Sequence, residues 1–170
     1  MDRPARVYLS GGMEYARDQG RLWRRELEAW LEGELGWEVY NPNTESERLI
    51  RTRFGGADLR ALKARDPDLF RTIARDLVDQ DCREIALRSA CVVCLWDEAA
   101  AQGAGTKGEL TIARYFGKPV YLVSSLPPAG IPGWVLGCTD RIFSDFGALR
   151  SFLGSAARLP GPTGRTDPAP

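Results

Sequence analysis

Residues 90–124 contain Ala90-Cys-Val-Val-Cys-Leu-Trp96, then Gly103-Ala-Gly-Thr-Lys-Gly-Glu109, then Val120-Tyr-Leu-Val-Ser124. The first and last pieces are short apolar runs rich in β-branched residues, the pattern of strands buried on both faces of a parallel sheet. Between them lie a glycine-bearing loop and a helix over about 107–116, entered near Thr106 and left at Gly117-Lys-Pro119. Strand, loop, helix and strand make one right-handed crossover unit. In open α/β sheets ligands bind in the crevice beyond the strand C-termini. Gly103 and Gly105 allow the backbone to approach such a ligand closely. Glu109 is expected in the first helical turn, where the positive dipole end favours an ionised carboxylate, and an ionised carboxylate in a crevice is a candidate nucleophile. Thr106-x-x-Glu109 also reads as a capping box; the two roles are compatible.

Upstream, Arg6-Val-Tyr-Leu-Ser10 reads as a first strand, followed by Gly11-Gly12-Met13 and an amphipathic helix. Leu22, Trp23, Leu27, Trp30 and Leu31 recur at helical spacing and are expected to face the core. Gly36 ends that helix, and Trp37-Glu-Val-Tyr40 is a second strand stopped by Asn41-Pro42. Residues 43–66 carry Arg48, Arg51, Arg53, Arg60, Arg65 and Gly55-Gly56 without a clear period. They read as an active-site loop or as surface helix and turn. A helix then starts at Asp66-Pro67, with Leu69, Ile73, Leu77, Asp81 and Ile85 on one stripe. Asp81 is a carboxylate in an apolar line: either the stripe drifts and Asp81 is exposed, or it points into the crevice.

Pro127-Pro128 and Pro132-Gly133 mark a loop, Trp134–Leu136 one helical turn, Arg141–Phe143 a fifth strand, and residues 146–153 a last helix. From Ser155 the chain is Pro- and Gly-rich without apolar period, so a domain over 1–154 and a disordered tail over 155–170 are expected. Alternating strands and helices imply a parallel sheet. Order 2-1-3-4-5 puts the crevice between the ends of strands 1 and 3, and brings Ser10, Gly11, Gly12 and Met13 beside the Gly103–Glu109 loop.

The 170 residues suit one domain, and 44% apolar with 27% charged residues is the composition of a soluble globular protein. Lys plus Arg and Asp plus Glu both number 23, so there is no global basic field for a nucleic-acid polymer. No apolar run is long enough to span a bilayer. The N-terminus runs at once into a strand without a signal-like apolar region, and a cytoplasmic location is expected. The chain has no histidine, which removes Ser-His-Asp and Cys-His catalysis and most zinc sites. The cysteines are Cys82, Cys91, Cys94 and Cys138. Cys91 and Cys94, three apart in a strand, point to opposite faces and read as core residues rather than half a metal site. No metal is expected.

Val7-Tyr-Leu-Ser-Gly-Gly-Met13, the Trp37–Pro42 strand end, and Gly105-Thr-x-x-Glu109 with Ala113 and Gly117-Lys-Pro-Val120 together resemble the nucleoside 2-deoxyribosyltransferase-like superfamily. The resemblance spans about residues 6–124. It implies a flavodoxin- or Rossmann-like three-layer sandwich and cleavage of the N-glycosidic bond of a (deoxy)nucleoside or its 5′-monophosphate. Glu109 stands where the family has its nucleophile, which attacks the anomeric carbon; another base or water then takes the glycosyl group. Tyr8 matches a tyrosine that helps hold that nucleophile. Asp81 matches a helix aspartate that handles base or sugar. The resemblance further implies no organic cofactor, a nucleoside or nucleotide substrate with a possible free nucleobase acceptor, and a homo-oligomer whose sites are completed across subunits. Two features depart from the pattern: Ala90-Cys91 replaces Ala-Asp before the strand valines, and Gly103 stands where a second aspartate is usual. Asp97 and Glu98 lie further back.

Displacement at an anomeric centre passes through an oxocarbenium-like state that a carboxylate stabilises. The leaving base needs a proton, for which Asp81 and Asp97 are the candidates. A monophosphate would fall to the Ser10-Gly11-Gly12 loop with Arg17 or Arg21. Two alternatives stand beside this. Gly103-x-Gly-Thr-x-x-Glu109 also resembles the motif of phosphoribohydrolases that release cytokinin bases, and a nucleotide-sensing module on the same fold would bind without turnover.

Overall fold

The computed structural model describes residues 4–155. Its strands are β1 (Arg6–Gly11), β2 (Glu38–Tyr40), β3 (Cys91–Leu95), β4 (Val120–Val123) and β5 (Arg141–Phe143). All pair in parallel, in the order β2-β1-β3-β4-β5. This is the expected topology, and it places the ends of β1 and β3 side by side, with Ser10 opposite Cys94.

The helices are α1 (Arg21–Leu35), α2 (Pro42–Phe54), α3 (Leu59–Arg65), α4 (Pro67–Arg83), α5 (Glu98–Gln102), α6 (Gly105–Tyr115), α7 (Gly133–Cys138) and α8 (Phe146–Ser155). A π-helical turn, Glu84–Arg88, continues α4. Side chains alternate across the sheet, so each strand feeds two cores. Val7, Leu9, Cys91, Val93, Tyr121 and Val123 pack with Leu27 and Leu31 of α1 and Leu149 and Leu153 of α8. On the other face Tyr8, Val92, Cys94 and Leu122 pack with Ile85, Leu110 and Ala113, and with Val135 of α7. The cysteines accordingly fall on opposite faces, and all four are free thiols. The same alternation puts Tyr8 and Ser10 on the α6 side of the sheet.

Several local expectations are corrected. Leu22 is exposed at 55%, while Arg24 is buried on the inner face of α1. For residues 43–66 the structure selects the second of the two expected readings, helix and turn, over an active-site loop. Asn41 caps α2, its side chain accepting from Asn43 N, and Asp58 caps α3 by accepting from Arg60 N and Ala61 N. Each short polar side chain meets an otherwise unpaired helix-start N–H, which lets helices form without a strong apolar period. The alanine-rich turn after β3 is α5, capped by Asp97. α6 starts at Gly105, with Ala104 at the cap position and no side-chain cap, so the Thr106–Glu109 capping box does not form. Of the expected tail, Ser155 ends α8 and residues 156–170 lie outside the described residues. Among the described residues no helix is long and apolar enough to cross a membrane.

Candidate active site

Three side chains from two distant segments meet at the C-terminal end of β1. The Tyr8 hydroxyl donates to Glu109 Oε1 at 3.0 Å, and the Ser10 hydroxyl donates to Glu109 Oε2 at 2.5 Å. Tyr8 and Ser10 are fully buried, and Glu109 is half-buried. Both carboxylate oxygens are therefore held, which fixes the plane of the group. Glu109 is the fifth residue of α6, beyond the first turn where the helix dipole acts strongly. The expected dipole-stabilised carboxylate is corrected accordingly. Burial pushes the Glu109 carboxyl above its ordinary value, and the Ser10 hydrogen bond, the Arg24 charge and the Tyr8 hydrogen bond oppose that rise.

A second carboxylate lies alongside. The Tyr40 hydroxyl donates to Asp81 Oδ1 at 2.8 Å and accepts from Gln80 Nε2 at 2.8 Å. Tyr40 pairs with Tyr8 in the sheet register, and the two rings stack at 5.2 Å with 14° between planes. Two parallel phenols thus each address one carboxylate. Asp81 does not drift outward: it follows Leu77 and precedes Ile85 on the inner stripe of α4, and is half-buried. Burial first, and the Glu109 charge second, push the Asp81 carboxyl up to about 7. Two acids in one site differ in role when their environments separate them; here Glu109 accepts from two hydroxyl donors, while Asp81 accepts from Tyr40 and is pushed up by burial and by the Glu109 charge.

The glycine loops meet, but by packing. A Cβ on Gly12 would lie 2.7 Å from Ala99 C and from Ala100 N, so Gly12 lets the loop after β1 seat against α5. The space beside Gly105 is open, and Gly103 is near the Ala99 carbonyl. Lys107 Nζ donates to Ala101 O at 2.6 Å and to Gly103 O at 3.1 Å, tying that loop to α6. Thr106 is buried within α6. Asp97 Oδ1 accepts from Ala100 N at 2.9 Å and is thereby engaged as the cap of α5. Met13, with Asn43, Ile50, Phe70 and Leu77, lines a cavity of about 420 Å³; a second cavity of about 540 Å³ lies among Tyr40, Arg48, Gln80 and Glu84.

Of the arginines considered for a phosphate, Arg17 is exposed and Arg21 pairs with Glu47 at 2.5 Å. Two residues escaped the sequence reading. Arg24 is fully buried; its spacing to Leu27 and Leu31, three and seven residues, was the available signal. Tyr40 was read only as a strand end, although its place beside Tyr8 follows from the strand pairing. Among the described residues no group of three or more Cys, Asp or Glu is placed to hold a metal ion.

No family model matches the chain, and no curated protein matches it. Among solved structures, the chain is similar to the CMP N-glycosidase BcmB of Clostridium botulinum, at 16% identity and a TM-score of 0.45, over 87% of this chain and 97% of that chain. At that level the likeness assigns neither a substrate nor residue roles to this chain.

Proposed function

We propose that the protein cleaves the N-glycosidic bond of a (deoxy)nucleoside or nucleoside 5′-monophosphate through Glu109. One observation carries this: a carboxylate gripped on both oxygens by Tyr8 and Ser10, beside a second carboxyl, Asp81, that accepts from Tyr40 and is pushed up by burial. In the first step the C1′–N bond breaks as a C1′–O bond to Glu109 forms, and Asp81 gives its proton to the departing base nitrogen. In the second, water or an acceptor base attacks C1′, its proton returns to Asp81, and Glu109 leaves as a carboxylate. Tyr8 and Ser10 orient the nucleophile, since each hydroxyl can follow the charge as it leaves and returns. The homo-oligomer implied by the resemblance belongs to the same proposal, checked by sedimentation. Trp23 and Trp30 pack against the core, whereas Trp134 is 69% exposed.

A second reading, a nucleotide-binding module without turnover, is favoured by one feature: Asp97 is occupied as a helix cap and Gly103 supplies no further acid. The test is chromatographic. Deoxynucleosides and their 5′-monophosphates are incubated with the protein, with and without an acceptor base. Release or exchange of base that disappears in Glu109→Ala supports the glycosidic reaction, and its dependence on acceptor separates transfer from hydrolysis. No release from any substrate, with folded protein and measurable nucleotide binding, sinks the enzyme and leaves the binding module.

A further inference from the structure

Arg24 is an anomaly that the proposed reaction does not use. Its side chain is fully buried, yet among the described residues no carboxylate touches it. Its acceptors are all neutral: Leu9 O from Nε at 3.1 Å, Gly11 O from Nη2 at 2.8 Å, and Gln19 O, Gly20 O and Asn43 Oδ1 from Nη1 at 3.2, 3.1 and 3.3 Å. The Trp23 ring covers the guanidinium at 4.7 Å. A buried cation without an ion-pair partner is costly, and its persistence calls for a compensating role. Two of its acceptors flank one residue. Leu9 and Gly11 are the neighbours of Ser10, and the Ser10 hydroxyl is the 2.5 Å donor to Glu109.

We propose that Arg24 is a positioning residue for Glu109. Its planar fork grips the carbonyls on either side of Ser10, so the Ser10 hydroxyl is presented to the carboxylate in one orientation, and its charge sits behind the carboxylate as counter-ion. Lysine offers the charge without the fork. The fork also ties the loop around Gly20 and the start of α2 to the end of β1, so a single side chain locks three segments around the site. Burial lowers the Arg24 guanidinium, and the Glu109 charge is the foremost influence opposing that fall. The groups bearing on the Glu109 carboxylate are Tyr8 and Ser10 from β1, Arg24 from α1, Asp81 and Cys82 from α4, and Cys94 from β3. Of these, Arg24 is the cation.

The test reads the carboxylate directly and needs no turnover, so it stands whether or not the glycosidic reaction is found. Glutamate carboxyls are labelled with carbon-13, the Glu109 signal is assigned by its loss in Glu109→Gln, and its titration is followed in the full chain. Arg24→Gln raises the Glu109 midpoint by about one pH unit or more, a ten-fold tighter hold on the proton. Arg24→Lys raises it by less, about half a unit, because the Ser10 clamp is lost while the charge stays. A purely structural Arg24 would lower the melting temperature and leave the midpoint unmoved; that result in either folded variant overturns the proposal. Where neither variant folds, Ser10→Ala decides, since it removes the hydroxyl that the fork presents and leaves Arg24 in place. The Glu109 midpoint then rises, and an unmoved midpoint overturns the proposal.

Discussion

Tyr8 and Glu109, 101 residues apart in the chain, share a 3.0 Å hydrogen bond at the end of β1. The phenol is stacked on Tyr40 and fully buried, so it reaches the carboxylate from a rigid base. In Tyr8→Phe the stack remains and only the donor is lost. A hydrogen bond to a charged group contributes about 1.5–3 kcal/mol, so base release is expected to fall by roughly ten- to a hundred-fold. The melting temperature falls modestly as well, because the carboxylate loses a donor in the resting state. A variant with unchanged turnover would show that Tyr8 does not serve Glu109.

Asp81 links the site to stability. Its folded carboxyl lies at about 7 against an ordinary 3.8, so the folded chain holds this proton more tightly than the unfolded chain. The folded state is therefore favoured at acid pH, and the contribution is lost as pH rises from about 4 to about 7. Asp81→Asn removes that loss and still accepts from Tyr40. It is expected to be more stable than wild type at pH 8 by on the order of 2 kcal/mol, below the roughly 4 kcal/mol that three pH units represent, because solvent reaches the half-buried group. The difference vanishes below about pH 4. Denaturant melts at pH 4 and pH 8 check the sign; a variant less stable at pH 8 contradicts it.

Gly12 is the contact between the two loops. An added Cβ would stand 2.7 Å from the backbone of Ala99 and Ala100, and backbone cannot rotate away as a side chain can. Gly12→Ala is expected to cost about 1–3 kcal/mol and to displace the Ser10 loop from α5. Chemical-shift changes at both Ser10 and Ala100, together with a lower melting temperature, are the expected record. Wild-type stability would mean that the loops have room between them.

The thiols offer a test of the strand assignment. Burial pushes the Cys91 thiol up to about 12, and raises Cys94 further; both are fully buried, and Cys138 is 6% exposed. Cys82 is half-buried on α4. A thiol reagent at pH 8 is expected to modify Cys82 first, with Cys91 and Cys94 reacting only after unfolding. Fast modification of Cys91 and Cys94 in the native protein would be incompatible with a central β3.

Much of the architecture was legible because it is written locally. The apolar runs of residues 7–9, 91–95 and 120–123, and the helical stripes between them, each declare an element, and right-handed crossovers leave few ways to order the strands. Glu109 could be singled out by its place after the glycine loop and Asp81 by breaking an apolar stripe, whereas Tyr8 was marked only by the family resemblance. The weakly periodic α2, α3 and α5 were not legible in the same way: their starts rest on single capping side chains, Asn41, Asp58 and Asp97, and their apolar contacts are few. Asp97 shows why: a capping aspartate and a catalytic one look alike in sequence, and only the structure shows that Asp97 caps α5.

The sequence by itself determined the alternation of strands and helices and pointed to the parallel sheet in the order β2-β1-β3-β4-β5, while leaving open whether Asp81 faces the crevice. Only the tertiary structure decided how the carboxylates are held. That α6 begins at Gly105 and frees Glu109 from a capping role, that Tyr40 rather than solvent meets Asp81, and that Arg24 lies buried around the Ser10 peptide all depend on contacts between segments far apart in the chain. The physical reason is range. Hydrophobic period and capping act over a few residues and can be read along the chain, whereas burial, counter-charge and hydrogen-bond geometry in a shared low-dielectric crevice exist only once the segments have met.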